Sequence, residues 1–171
     1  ADIVVHENQN NQMEEIFRSM RTNLQFMLKE GQKVVLFTSS TSGEGKTFNA
    51  ANLSVSFGLL GKKVILVGLD IRRPRLAELF GINDHKHGIT NLLVKDNPTI
   101  EDIYEQILPS GVNKNLDLLM AGPIPPNPAE LIARNSLDII INLLKEKYDY
   151  IMIDTAPVGL EIGRASCRER V

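Results

Sequence analysis

Tryptophan is absent, aromatic residues make up 5% of the chain, and a single cysteine stands at position 167. One cysteine cannot close an internal disulfide, so a stapled extracellular scaffold is excluded and a reducing compartment fits. No uninterrupted apolar run approaches the ~20 residues that span a bilayer. The opening Ala1-Asp2-Ile3 lacks the basic-then-apolar pattern of a signal peptide. Charge of one sign is lacking too. The 19 basic and 21 acidic residues leave a net charge of -2, so bulk electrostatics argue against nucleic-acid binding. What remains, 43% hydrophobic and 23% charged over 171 residues, is the composition of one folded soluble domain.

Residues 161–171, Glu-Ile-Gly-Arg-Ala-Ser-Cys-Arg-Glu-Arg-Val, break from what precedes them, with three arginines, two glutamates and no apolar period. The string resembles read-through from a cloning vector and is set aside from fold reasoning. The 160 residues that remain carry 16 basic and 19 acidic side chains, a net charge of -3, and no cysteine, which removes thiol chemistry.

Hydrophobic periodicity predicts a helix over 12–29, with Phe17, Met20, Leu24 and Met27/Leu28 on one face and Gly31 as its stop. Val34 to Phe37 reads as a buried strand, followed by a Ser/Thr/Gly loop over 38–45. A helix from Lys46 to Leu60 comes next, then a second strand over Val64–Val67. Shorter helical pieces are expected between 74 and 109, punctuated by Gly81, Gly88, Pro98 and Pro109. Leu116 to Met120 is a third strand candidate. After the proline loop 121–126, Asn127, Pro128 and Glu130 occupy Ncap, N1 and N3 of a helix predicted to run to Lys147. Tyr150 to Ile153 is a fourth strand, ending at Asp154. Continuous apolar strands separated by helices predict an α/β fold, a parallel sheet covered on both faces. Ligands of such sheets bind beyond the carboxyl ends of the strands.

The first strand leads into Thr38-Ser39-Ser40-Thr41-Ser42-Gly43-Glu44-Gly45-Lys46-Thr47, where a helix opens. A strict P-loop has glycine where Ser40 stands; the rest of the pattern is present. Gly43 and Gly45 allow backbone N–H groups to close on phosphate oxygens, and the helix N-terminus adds its positive end. The candidate nucleotide-binding residues are therefore Ser42, Gly43, Glu44, Gly45, Lys46, Thr47 and Phe48. Lys46 would reach the β- and γ-phosphates of ATP, and the Thr47 hydroxyl would take a Mg²⁺ coordination position.

Asp154, ending a buried strand, reads as the Walker B carboxylate that holds Mg²⁺. Asp70 lies three residues past the second predicted strand, in Gly68-Leu69-Asp70-Ile71-Arg72-Arg73-Pro74-Arg75. It could act there as metal ligand or general base, with Arg72 offering positive charge to phosphate or substrate.

With both aspartates placed, residues 10–160 resemble the cytoplasmic domain of bacterial tyrosine kinases of capsule and exopolysaccharide export. The matching motifs are Walker A at Gly43 to Thr47, Walker A′ at Asp70 with Arg72, and Walker B at Ile151 to Asp154. Glu15-Ile16-Phe17-Arg18-Ser19-Met20-Arg21 matches the family's Glu-x-x-Arg-x-x-Arg motif, which implies that Glu15, Arg18 and Arg21 contact another copy in a ring. Spacing alone favours solvated pairs on one helix face, worth a few tenths of a kcal/mol. The resemblance further implies ATP·Mg²⁺-dependent tyrosine phosphorylation with Lys46, Asp70 and Asp154 as the catalytic set. It also implies a membrane-spanning chain-length or export component, fused or separate, and a place as a soluble domain at the cytoplasmic face of the bacterial inner membrane. Residues 1–160 are thus read as one P-loop kinase-like domain: helix 12–29, then a nucleotide core over 33–160.

Two departures stand out. The first aspartate of the A′ motif is Gly68, which leaves Asp70 as its one carboxylate. The family's C-terminal tyrosine cluster has no counterpart, since the only tyrosines are Tyr104, Tyr148 and Tyr150. Further strands, an adenine-contacting segment and a tyrosine tail are expected beyond residue 160, so full kinase activity is not expected of the 171 residues alone. Two other functions compete. A partitioning-type P-loop ATPase would carry a second lysine where Thr41 stands. A nucleotide-binding structural subunit of the export machinery, without kinase activity, draws support from Gly68.

Overall fold

The computed structural model describes residues 3–5, 11–39, 44–71, 74–132 and 135–156. Four parallel strands form its centre: β1 (Val34–Phe37), β2 (Val64–Leu69), β4 (Leu116–Leu119) and β5 (Tyr150–Thr155). A two-residue strand, β3 (Leu108–Pro109), pairs antiparallel with β4 at one edge, giving the order β1-β5-β2-β4-β3. The sequence marked Pro109 only as punctuation, and the sheet is accordingly mixed rather than wholly parallel. Proline has no N–H to donate, and an edge position tolerates that.

Side chains alternate strictly between two cores, the period of two that a strand dictates. Leu36, Val67, Leu119 and Ile153 face one core, and Val35, Leu66, Leu118 and Met152 face the other. Burial on both faces explains why the strands read as unbroken apolar runs. The first core is closed by the short helices α4 (Thr90–Leu93), α5 (Ile100–Gln106) and α6 (Pro128–Ile132) and by α7 (Ser136–Lys147). The second is closed by α2 (Glu44–Leu59) and α3 (Leu76–Phe80), with α1 (Gln12–Met27) packed outside α2.

Helix α2 is buried almost all round because it lies between the sheet and α1. Its internal polar side chains are occupied. Ser54 donates to the Ala50 carbonyl, and the Asn52 amide donates to that of Phe48. The Asn52 carbonyl accepts the backbone N–H groups of Val4 and Val5, which ties the buried segment Ile3–Val5 to the helix.

The single helix expected over 127–147 is two, α6 and α7. Ser136, the first residue of α7, is buried and its hydroxyl donates to the Leu93 carbonyl at 2.9 Å, so the start of α7 is pinned on α4. At the start of α6, the Asn127 amide meets the Glu130 carboxylate at 2.9 Å, side chain to side chain. The predicted strand 64–67 runs on to Leu69, which places Asp70 directly at the strand's end. No helix among the described residues is long and apolar enough to cross a membrane. Residues 161–171 lie outside the described residues.

Candidate active site

Strand order brings the motifs together. Strand β5 lies between β1 and β2, with Asp154 in register with Phe37 on one side and Gly68 on the other. The start of α2, the carboxylate in β5 and the carboxylate after β2 therefore converge at the carboxyl end of the sheet, although Lys46 and Asp70 are 24 positions apart and Asp70 and Asp154 are 84 apart.

Lys46 lies in the first turn of α2 and points back over the strand ends. Its Nζ is 3.1 Å from Asp154 Oδ1 and 3.5 Å from Asp70 Oδ2. Thr47 donates its hydroxyl to the other oxygen of Asp154 at 2.9 Å. The side chains of Lys46 and Asp154 are 5% and 3% exposed, and that of Asp70 is 16%. The ion pair is close but poorly aligned. Among the described residues, neither Lys46 Nζ nor Asp154 Oδ1 has a hydrogen-bond partner of good geometry. Burial pushes the Asp154 carboxyl above the ordinary carboxylate range; Lys46 and Thr47 pull it back in part, and the neighbouring Asp70 adds to the rise.

Two observations test whether these residues suit a nucleotide and its metal. Hydrogen-bonding capacity stands unused on the buried ammonium and on one carboxylate oxygen, where a phosphate oxygen or a metal-bound water would use it. Beyond its chain neighbours and the backbone of its own helix, a Cβ added at Gly45 would meet no described atom within 4 Å, so packing does not demand glycine at this position beside the helix N-terminus. No group of three or more His, Cys, Asp or Glu side chains forms a metal cluster among the described residues. A hydroxyl and one or two carboxylates suit Mg²⁺, which keeps several waters and takes further oxygens from phosphate.

The remaining sequence candidates are distributed as follows. Glu44 and Gly45 open α2. Phe48 packs its ring edge-on against Phe17 of α1, with centroids 5.8 Å apart. Ser42, Gly43 and Arg72 lie outside the described residues. On α1, Glu15 and Arg18 are exposed, whereas Arg21 is half-buried and turned inward. The Arg21 Nη1 donates to the Ser56 carbonyl at 2.8 Å and to its hydroxyl at 3.1 Å. Burial, followed by the repulsion of Arg18, lowers its pKa.

Sequence reasoning missed the far wall of the site. A cavity of about 120 Å³ opens beside Asp70 and Asp154, with Leu76, Ala77 and Met120 on its apolar side and Arg75, Glu78, Asp84 and His85 also lining it. Its wall is fixed by a second strand-like contact, in which Ile89 N–H donates to Met120 O at 2.8 Å and Thr90 N–H to Ala121 O at 3.1 Å. Gly88 and Gly122 touch at this point, and a Cβ on Gly88 would come within 2.2 Å of the Gly122 nitrogen. Both glycines were visible in the sequence, yet nothing local pairs them.

A family model described as an AAA domain matches residues 32–162. Staphylococcus aureus CapB, which carries the name of a tyrosine-protein kinase, is 34% identical over 160 residues, spanning 93% of this chain and 68% of the relative. The tyrosine-protein kinase YwqD of Bacillus subtilis is 38% identical over 145 residues, spanning 84% of this chain and 59% of the relative. Among solved structures, the kinase domain of the Escherichia coli tyrosine kinase ETK superposes with a TM-score of 0.81 at 26% identity, covering 91% of this chain and 59% of that one. The septum site-determining protein MinD of Pyrococcus horikoshii, complexed with Mg-ADP, superposes at 0.60 and 26% identity, covering 76% and 51%. The fold is thus shared with a septum site-determining protein, while the kinase domain matches more of the chain more closely. The chain belongs to the family of bacterial tyrosine-protein kinases.

Proposed function

We propose that the whole protein is an ATP- and Mg²⁺-dependent protein-tyrosine kinase that regulates capsule or exopolysaccharide synthesis and export. The observation that carries this reading is the buried cluster of Lys46, Thr47 and Asp154 with Asp70 beside it. The amides at the start of α2 and the Lys46 ammonium hold the phosphate chain and offset charge on the phosphoryl group in flight. Phe48, whose ring is engaged with Phe17, would contribute through its backbone. Thr47 and Asp154, with Asp70, would hold Mg²⁺, which when bound supplies positive charge to the β- and γ-oxygens. Asp70, more exposed than Asp154, accepts the proton of the tyrosine hydroxyl. A bond forms from the phenolic oxygen to the γ-phosphorus, the bond from that phosphorus to the β,γ-bridging oxygen breaks, and ADP leaves. Arg72 adds positive charge beside the phosphates or the acceptor. With glycine at 68, Asp70 is the one carboxylate of the A′ motif and carries its work.

The same reading places the protein at the cytoplasmic face of the bacterial inner membrane, against a membrane-spanning chain-length or export component, and in a ring with its own copies. Glu15 and Arg18, both exposed on α1, suit the contact between copies; Arg21 supports it by holding α1 on α2. The test is to incubate the full-length protein with Mg·ATP and probe for phosphotyrosine beside Lys46→Met. Lys46-dependent phosphotyrosine is expected. Its absence, with nucleotide binding retained, would favour a structural nucleotide-binding subunit.

A further inference from the structure

We infer that the amino pole of the sheet, opposite the Lys46–Asp154 site, is a face that lies on an anionic lipid surface. The inference rests on the proposed place of the protein at the inner membrane and adds which side of the domain meets the lipid. Seven of the ten lysines stand where the chain enters a strand: Lys29 and Lys33 before β1, Lys62 and Lys63 before β2, Lys114 before β4, and Lys145 and Lys147 before β5. Backbone bonds set these entries side by side. The Lys33 carbonyl accepts from Ile151 N–H, that of Lys63 from Asp149 and Tyr150, and that of Asn115 from Val64. Four parallel strands about 4.8 Å apart make this edge about 14 Å wide before its loops are added. The carboxylates among these entries are Glu30, Glu146 and Asp149, whereas the carboxyl pole gathers Asp70, Glu78, Asp84 and Asp154 around one cavity. A chain of nearly balanced charge is therefore polarised, with its positive end away from the site.

Helix ends account for part of this charge. Lys33 Nζ donates to the Lys145 carbonyl at 2.8 Å and to that of Tyr148 at 3.3 Å. Lys145 and Lys147 fall in the last turn of α7, where a cation suits the helix dipole. Lys29, Lys62, Lys63 and Lys114 lie outside the helices and are exposed. Apolar side chains among the lysines separate a lipid face from a solvated basic edge or a nucleic-acid face. Phe26 and Met27, at the end of α1, are 86% and 69% exposed, and Leu60 and Val112 are exposed as well. Leu60, Val112 and Lys114 line one groove, which sets the end of α2 beside the turn before β4. Apolar side chains enter the boundary between headgroups and acyl chains, and the surrounding ammonium groups meet lipid phosphates. Each lysine near such a surface strengthens binding about fivefold. Contact at this pole leaves the site open to nucleotide, because the six residues of β2 hold Asp70 about 20 Å from the lipid.

Vesicle sedimentation of the 171-residue chain tests this with neither nucleotide nor an export component present. Phosphatidylcholine vesicles carrying about 30% phosphatidylserine should bind at least about tenfold more tightly than pure phosphatidylcholine, and binding should fade as salt is added. Lys62→Glu and Lys114→Glu should each weaken binding about tenfold. Lys86→Glu makes the same charge change beside Asp84 at the other pole and should stay within about twofold. Thermal unfolding run alongside confirms that the exposed substitutions leave the fold in place. The chain has no tryptophan, so Phe26→Trp carries its sole indole, whose emission should move to the blue on anionic vesicles. Equal binding to both vesicle types, equal effects of the three reversals, or an unmoved indole emission overturns the proposal. Self-association lost in Phe26→Ser with vesicle binding intact assigns the face to a second copy and overturns it too, as does binding of duplex DNA in place of vesicles. Phosphotyrosine formation enters none of these measurements, so the failure of the kinase reading and the failure of the lipid face are read separately.

Discussion

Lys46 Nζ lies 3.1 Å from Asp154 Oδ1 at the carboxyl end of the sheet, with both side chains all but removed from solvent. A cation from the phosphate loop is thereby stored on the carboxylates that would hold a metal. This arrangement makes Lys46 a stabilising element of the site as well as its proposed phosphate ligand.

Lys46→Met should lower stability as well as nucleotide affinity. Breaking a buried pair costs about 3–5 kcal/mol, but Asp154 can take up a proton and Asp70 is partly solvated, so a loss of about 2 kcal/mol at neutral pH is expected. The sign with pH follows from the raised carboxyl of Asp154. A carboxyl whose folded pKa lies above its unfolded value binds its proton more tightly when folded. The penalty therefore grows as pH rises and fades as pH falls. Urea unfolding of both proteins at about pH 7.5 and about pH 5 should show the deficit shrinking at the lower pH.

Mg·nucleotide binding should weaken on acidification earlier than an ordinary carboxylate would dictate. The metal needs Asp154 ionised, and burial raises the pH at which it protonates. In Asp154→Asn, affinity should fall about 10–100-fold and its pH dependence should flatten. Calorimetric titrations across pH check both effects.

Arg21→Ala and Arg18→Ala should behave differently. Arg21 bonds Ser56 on α2, so its loss should cost about 1–2 kcal/mol. Arg18 is exposed, and its loss should leave stability within about 0.5 kcal/mol while reducing self-association. Thermal unfolding and sedimentation of the two variants separate the roles.

Gly88→Ala should destabilise by about 2 kcal/mol or more, because the new methyl meets the Gly122 backbone at 2.2 Å and neither chain segment can yield cheaply. Urea midpoints give the value directly.

Much of this was legible in the sequence because it is local. Val34–Phe37 and Tyr150–Ile153 are short apolar runs of buried-strand length, and Gly45-Lys46-Thr47 after a strand announces a phosphate loop. Features that depend on tertiary pairing were not legible. The start of α7 is pinned by Ser136 bonding to Leu93, 43 residues away. Strand β3 exists because Leu108 and Pro109 meet β4. The hydrogen bond from the Tyr148 hydroxyl to Asp117 at 2.7 Å joins residues 31 positions apart, which no local pattern marks. Arg21 had the spacing of a surface motif, and only the position of α2 turns it inward. The cavity behind Asp70 combines a missing side chain at 68 with residues from 76–77 and 120–122, a juxtaposition that no periodicity encodes.

The central claim is that Lys46, Thr47, Asp70 and Asp154 form one Mg·nucleotide site, and calorimetric titration of ATP with and without Mg²⁺ tests it most directly. The account predicts one ATP per chain, binding that requires Mg²⁺, and a loss of at least about tenfold in affinity in both Lys46→Met and Asp154→Asn. Affinity unchanged in either variant, or equal with and without Mg²⁺, would contradict it.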